Sequence, residues 1–508
     1  MSNNSKILSL EELSERALEF KRQGKRTVLC HGTFDLMHTG HIRYLQRARK
    51  EGDVLLVTVT ADEFVNKGPG RPIFNEHLRA ESLAALQCVD LVAINPAMTA
   101  VDALHAIQPS VYAKGSEYRV QADDVTGNIT REQDAVEAHG GEMFFTDEIT
   151  FSSSQLLNEH FDVFAPETKR FLDQFKERWT DRELHGLVDS LSDLRVLVVG
   201  DAIIDQYHYV SPLGQTGKGN VLAVQYDSEE QFAGGSIAVA NHIARFAESV
   251  TLVAGLGDRD SHESFIREKL QPNVTPNFAY FNNAPTVTKR RFVDGDLAKL
   301  FEVYFFHDEP VLEGNGERIL RWLVENVSDY DLVVVADFGN GFITPEMVQV
   351  LSTRSRFLAV NTQINSGNRG YHVINRYPSA SFISLNEPEL RLAAHNRHDP
   401  LERVSERVAG NLGSRYVAVT RGTRGVMMHE VMGQTFHRIP ALSSRVIDRI
   451  GAGDAFLSLA ALCLGKGLPA QVAAFVGSVA AAMDVQIVCN REPIDPVALK
   501  KYVSTLLK

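Results

Sequence analysis

The chain is predicted to be α/β throughout, in two units of unequal size, and three observations predict it. Short β-rich runs alternate with helical stretches along most of its 508 residues, which implies parallel sheets covered by helices. Two glycine-bearing signatures, at 30–41 and 448–456, each sit where a strand or loop runs into a helix. The length exceeds that of one ordinary domain. A charged, strand-poor stretch at 161–193 divides it, giving expected bounds of 1–160, a helical linker at 161–193, and 194–508.

In the first part, strands are expected at 27–30, 53–60, 91–95, 110–113 and 142–146, with helices at 40–50, 75–87 and 131–139. The linker supports one or two amphipathic helices over 168–191. A second α/β unit opens at 195–200, with further strands at 251–254, 332–336, 357–361, 382–385 and 416–420. Segments 220–226 and 286–293 read as paired strands of a small lid sheet. Ligands of such sheets bind at the carboxyl ends of strands.

Composition narrows the function classes. The net charge of −12 disfavours a nucleic-acid or anionic-membrane surface. The sequence has no continuous apolar run long enough to span a bilayer, and its start lacks a secretory pattern. Cys30, Cys88, Cys463 and Cys489 have no CxxC spacing, which fits a reducing cytoplasm rather than a zinc or disulfide framework.

In the first signature, His38 and His41 flank Thr39-Gly40 at a helix start. Two imidazoles so spaced can face one phosphate and stabilise charge on a pentavalent phosphorus. The bland alternative is one capping histidine and one core histidine. The preceding Gly32, Thr33, Phe34 and Asp35 strengthen the functional reading. In the second signature, Gly451, Ala452 and Gly453 can gather backbone N–H groups into an anion nest. Asp454 can then deprotonate a substrate hydroxyl beside a γ-phosphate, or simply cap the helix.

Gly-Thr-Phe-Asp-Leu-Met-His-Thr-Gly-His, with Lys67, Asn75, Arg79, Lys114 and the serines at 152–154, resembles the cytidylyltransferase-like nucleotidyltransferase superfamily over 27–158. The set is most similar to the transferase domain of bifunctional ADP-heptose synthases. The resemblance implies a Rossmann-like domain in which His38 and His41 stabilise nucleotide phosphates and Gly32, Thr33 and Phe34 line the nucleotide. It implies that Lys67 neutralises the triphosphate from a loop, and that Lys114, Ser152 and Ser153 contact phosphate. Plain N-capping by the serines and a surface charge at Lys114 are the alternatives.

Residues 194–508 resemble the ribokinase/PfkB sugar kinases. The matching features are Gly200-Asp201 with Asp205, the pair Gly234-Gly235, Lys289 and Arg291, Asn386 with Glu389, the turn Thr420, Gly422 and Gly425, and Gly451-Ala452-Gly453-Asp454. The resemblance implies a ribokinase-like domain with a β lid and Asp454 as base. Asp201, Asp205, Gly234, Gly235, Lys289 and Arg291 would bind substrate. The turn at 420–425 would bind nucleotide, and Asn386 with Glu389 would serve magnesium.

The expected function is bifunctional nucleotide-sugar synthesis. ATP would phosphorylate a heptose-like sugar or sugar phosphate, and ATP or CTP would then donate a nucleotidyl group to the sugar 1-phosphate. Mg2+ would serve both steps. The partners are small molecules, with no nucleic acid and no membrane, in a homo-oligomer. A cytidylyltransferase for a polyol phosphate with an unrelated kinase, or with a non-catalytic PfkB-like module, is the competing expectation. Three departures bear on the sugar. Ala238 stands where the family has asparagine, Asn361-Thr362-Gln363 replaces Asp-Pro-Lys, and Lys299-Leu300-Phe301 replaces Arg-Leu-Asp. The transferase also precedes the kinase, the reverse of the related synthases.

Overall fold

The computed structural model describes residues 6–65, 71–115, 128–146, 164–217, 219–307, 311–312, 314–368, 370–443 and 445–508. The chain divides into two compact units: 1–165 with 500–508, and 166–499.

The first unit is a parallel sheet of β1 (Ile7–Leu8), β2 (Thr27–Gly32), β3 (Val54–Thr60), β4 (Leu91–Asn95), β5 (Val111–Lys114) and β6 (Glu142–Phe145). Their order is β1-β4-β3-β2-β5-β6. β3, apolar but for Thr58 and Thr60, is buried along its length, as a strand covered on both faces is. The chain moves outward from β2 through β3 and β4, then returns to the other side for β5. The crevice at such a reversal is where α/β sheets take ligands. Here it lies beyond Gly32 and Lys114.

The second unit is built on β7 (Arg195–Gln215), β8 (Leu222–Gly235), β9 (Ser249–Arg259), β10 (Val274–Pro285), β11 (Thr288–Val293) and β12 (Lys299–Phe305). It continues with β13 (Leu332–Asp337), β14 (Leu358–Thr362), β15 (Phe382–Asn386), β16 (Tyr416–Thr420), β17 (Val426–Glu430) and β18 (Thr435–Ile439). The main path is β10-β9-β7-β13-β14-β15-β16-β17-β18. It is parallel as far as β16 and antiparallel at the β17 and β18 edge. The reversal falls between β7 and β13.

β7 is long enough to serve two sheets. Its first residues pair in the core, while the stretch from Ala202 onward pairs with β8 and β11. β12 adds antiparallel to β11. These strands form the lid. The two segments expected to pair with each other, 220–226 and 286–293, instead flank β7 on either side. A two-residue alternation in the sequence reveals that a strand exists, but not which neighbour it meets.

The helices Pro166–Lys176 and Asp181–Asp189, expected within the linker, belong to the second unit. Phe175 stacks on Phe475 at 4.2 Å. Pro166–Lys176 and Asp181–Asp189 each bury a narrow apolar stripe, including Leu172, Phe175, Leu184 and Val188, as amphipathic helices do.

Candidate functional site

At the carboxyl end of β2, the helix Thr39–Arg49 begins with His38 as its N-cap. His38 Nδ1 accepts the Gly40 N–H at 3.1 Å. Burial lowers the pKa of His38, which favours the neutral ring. With Nδ1 accepting, Nε2 carries the hydrogen. The His38 and His41 rings lie 4.0 Å apart between centroids. Phe34, at φ +49, meets His41 edge-on at 5.5 Å. An aromatic residue at positive φ is strained and needs support from its surroundings.

That support comes from Arg79. Its side chain is fully buried and donates to Phe74 O (2.9 Å), Thr33 O (2.6 Å), Thr60 O (2.8 Å) and Asp62 Oδ1 (2.5 Å). One guanidinium therefore pins the backbone just beyond β2, at the end of β3 and ahead of the helix Glu76–Ala84. Arg79 matched the family pattern, but the sequence reading gave it no role. A basic residue on a stripe otherwise made of Ala80, Leu83 and Ala84 was the signal. Asp35 similarly accepts from the Ile73 and Phe74 N–H groups. Lys114 ends β5, but it is buried and paired with Glu132 at 2.8 Å. Lys67, Ser152 and Ser153 lie outside the described residues.

In the second unit, Lys289 is the register partner of Asp205 across β11 and β7. Arg291, two residues on, is bonded to Asp205 and also reaches Glu302 at 3.2 Å. A side chain at Gly234 would collide with the Asp205 carboxylate. Gly235 adopts φ +61 at the start of the helix Ser236–Ala244.

Asp454 lies in the first turn of the helix Ala452–Gly465, behind Gly451 at φ +100. Burial and the negative charge of Asp205 push its pKa up to about 7 against the pull of Lys289, with Glu389 adding to the rise. The structure thus brings Asp205, Lys289, Arg291, Gly234 and Asp454 together. Asp201 is engaged differently. Its Oδ2 accepts from the Phe338 and Asn340 N–H groups at 2.8 and 3.4 Å. Burial and the neighbouring Asp337 push it up to about 6.

The sequence reading also missed what stands behind Gly451. A Cβ there would collide with Asn490 Oδ1 and lie 2.7 Å from Asp484 Oδ2. Asp484 is fully buried, and among the described residues neither of its side-chain oxygens has a hydrogen-bond partner. Burial, followed by the charges of Asp454 and Asp448, pushes its pKa well above the ordinary aspartate value. Nothing in local sequence pattern announces it.

Along the same edge, Asn386 and Glu389 cap the helix Glu387–Ala393 reciprocally. Glu389 Oε1 also accepts from Ile364 N at 3.2 Å. Asn386 is the register partner of Thr420. Gly422 and Gly425 adopt φ +57 and +74 in the turn after β16. Among the described residues no group of three His, Cys, Asp or Glu side chains could close around a metal ion. No described helix is long and apolar enough to cross a membrane.

Residues 193–493, more than half of the chain, match the pfkB family of carbohydrate kinases. The chain belongs to the pfkB family. In front of this pfkB-family region, residues 29–159 match the cytidylyltransferase-like family, so the transferase-like domain comes first. Over 144 residues the chain is 40% identical to the Bifunctional protein HldE of Methylobacillus flagellatus, covering 28% of each. Over 183 residues it is 33% identical to the protein of the same name from Trichlorobacter lovleyi, covering 36% of this chain and 33% of that one. These matches fall on the N-terminal part, and the chain spans about a third or less of the length of either relative. The structure is also similar to that of the Arabidopsis thaliana ribokinase complexed with ribose and ATP. The TM-score is 0.48 at 20% identity, over 62% of this chain and 99% of that one.

Proposed function

We propose that this chain carries out two consecutive steps of nucleotide-sugar synthesis. The 194–508 domain would transfer the γ-phosphoryl group of ATP to a sugar or sugar phosphate. The 1–160 domain would then join a sugar 1-phosphate to a nucleoside monophosphate drawn from ATP or CTP, releasing pyrophosphate. The observation that carries the reading is the placement of Asp454. It is a carboxyl with a pKa near 7, between an anion nest and the Asp205–Lys289 pair.

In the kinase step, Asp205, Gly234, Gly235 and Arg291 hold the acceptor, and Asp454 takes the proton of its hydroxyl. The Gly451–Gly453 N–H groups and Lys289 stabilise charge developing on the transferred group. The turn at Thr420, Gly422 and Gly425 receives the nucleotide. Asp201 keeps the loop after β13 in place, which makes it a positioning residue. Mg2+ offsets phosphate charge in both steps. Asn386 and Glu389 would face it from the protein, with phosphate oxygens and water supplying the other ligands.

In the transfer step, His38 through Nε2–H and His41 stabilise the phosphates on the edge formed by Gly32, Thr33 and Phe34. Lys67, Ser152 and Ser153 supply further phosphate contacts, and Lys114 reaches a phosphate only by leaving its pairing with Glu132. The reaction is placed in the cytoplasm. Exposed Leu213, Val221, Tyr226 and Phe301 on the lid support association of chains through that sheet.

The test is a mass-spectrometric screen of the full chain with a panel of sugars and sugar phosphates and with both ATP and CTP. Appearance of a phosphorylated sugar and of a nucleotide sugar is expected. A nucleotide-linked polyol without sugar phosphorylation would replace this reading with the cytidylyltransferase alternative.

A further inference from the structure

We propose that two lid residues, Lys299 and Tyr207, position the Gly451–Gly453 cradle through Asp448, so that placement of the lid sets the geometry of phosphoryl transfer. The proposal rests on the kinase reading above.

Asp448 is almost fully buried three residues before the cradle. Its Oδ1 accepts from Arg449 N at 2.7 Å and Ile450 N at 3.2 Å, forming the turn that leads into Gly451. Its Oδ2 accepts from the Tyr207 hydroxyl at 2.5 Å and from Cys489 N at 3.2 Å. Lys299 Nζ stands 3.6 Å from Oδ1. Tyr207 lies on the lid half of β7, its ring edge-on to Phe232 at 5.4 Å. Lys299 opens β12.

One carboxylate therefore gathers the approach to the cradle, the 489–490 segment that backs Gly451, and two lid strands. The Lys299 ammonium stands beside the oxygen that holds the cradle's turn, and the Tyr207 hydroxyl donates to the other oxygen of the same carboxylate, so a shift of the lid must be taken up by that turn. Lys299 begins a segment that, by resemblance, was expected to bear on sugar recognition. Its ammonium instead meets Asp448, and Phe301 stacks on Phe292 at 4.4 Å.

The test uses the full chain carrying Lys299→Gln, Lys299→Arg, Tyr207→Phe or Asp448→Asn. Lys299 is partly exposed, so its variants fold even if the buried ones do not. Amide hydrogen exchange of 447–455, measured without any sugar, should speed up about threefold or more in Lys299→Gln while β13 is unaffected, as a local opening would show. With a sugar phosphate that the wild type phosphorylates, kcat should fall about tenfold, as misplacement of a positioned group does. KM for MgATP should hold, and Lys299→Arg should restore the rate. Lys299→Gln on top of Asp448→Asn should cost nothing further, because coupled residues are not additive.

Unchanged exchange at 447–455, an unchanged kcat, or an additive double variant would overturn the proposal. An exchange response in a chain that phosphorylates no sugar would uphold the coupling and sink the kinase reading alone.

Discussion

Lys289 lies directly across from Asp205 in the parallel pairing of β11 with β7, and the two act on Asp454 in opposite directions. Asp205 and burial raise the pKa of the Asp454 carboxyl, and Lys289 lowers it. A general base works best when its pKa lies near the working pH. The pair therefore sets where the proposed base operates.

The kinase rate should rise with pH through about 7 as Asp454 ionises. In Lys289→Met the rise should move to higher pH, because the one stabilising charge is gone while Asp205 and Glu389 remain. The pH profile of kcat/KM for sugar phosphorylation decides this. A profile that stays in place would show that Lys289 does not act on the base.

Asp454→Asn should lower phosphorylation at least about a hundredfold, the range seen when a proton acceptor is removed, and should leave nucleotidyl transfer intact. It should also stabilise the chain at neutral pH. A carboxyl whose folded pKa lies above its unfolded value keeps a proton that the unfolded chain has already released. Stability therefore falls as pH rises from the ordinary Asp range toward about 7. Asparagine escapes that loss, so Tm at pH 8 should increase while Tm at pH 4 changes little. Thermal melts of both proteins at the two pH values test the sign.

Gly451→Ala should abolish phosphorylation without unfolding the second unit. The new methyl would meet Asn490 and Asp484 at a backbone conformation that disfavours any side chain. Far-ultraviolet circular dichroism alongside the ATP assay separates loss of the cradle from loss of the fold.

His41→Ala should reduce nucleotidyl transfer at least about a hundredfold, as loss of a transition-state donor does, with phosphorylation preserved. Pyrophosphate release by the folded variant at the wild-type rate would remove His41 from the site.

Arg79→Met should be the most damaging change in the first unit. It strips donors from the carbonyls of Thr33, Thr60 and Phe74 and leaves Asp62 unpaired. Leaving the buried Thr33 and Thr60 carbonyls unsatisfied costs about 1–3 kcal/mol each, while Asp62, 39% exposed, turns to solvent. Arg79→Lys should recover part of the stability but little of the transfer, since an ammonium cannot span three carbonyls. Urea unfolding with the transfer assay measures both.

The α/β class and the positions of the two glycine-bearing signatures were legible in the sequence, because both are written locally. Alternating strands and helices, glycines at strand-to-helix junctions, and His38 or Asp454 within a few residues of those glycines require no distant partner. Strand positions such as 91–95 and 416–420 were legible for the same reason. What surrounds those signatures comes from contacts distant in the chain. Tyr207 meets Asp448 from 241 residues away, and Arg79 reaches back 46 residues to Thr33. Asp484, at the end of a different helix, and Asn490, in the loop after it, back Gly451. The tertiary structure also showed that Asp201 serves a loop and that Lys114 is paired with Glu132. These choices depend on which neighbours the sheet order brings together at the carboxyl edges. Buried polar groups take their partners from that geometry rather than from the residues beside them in the chain.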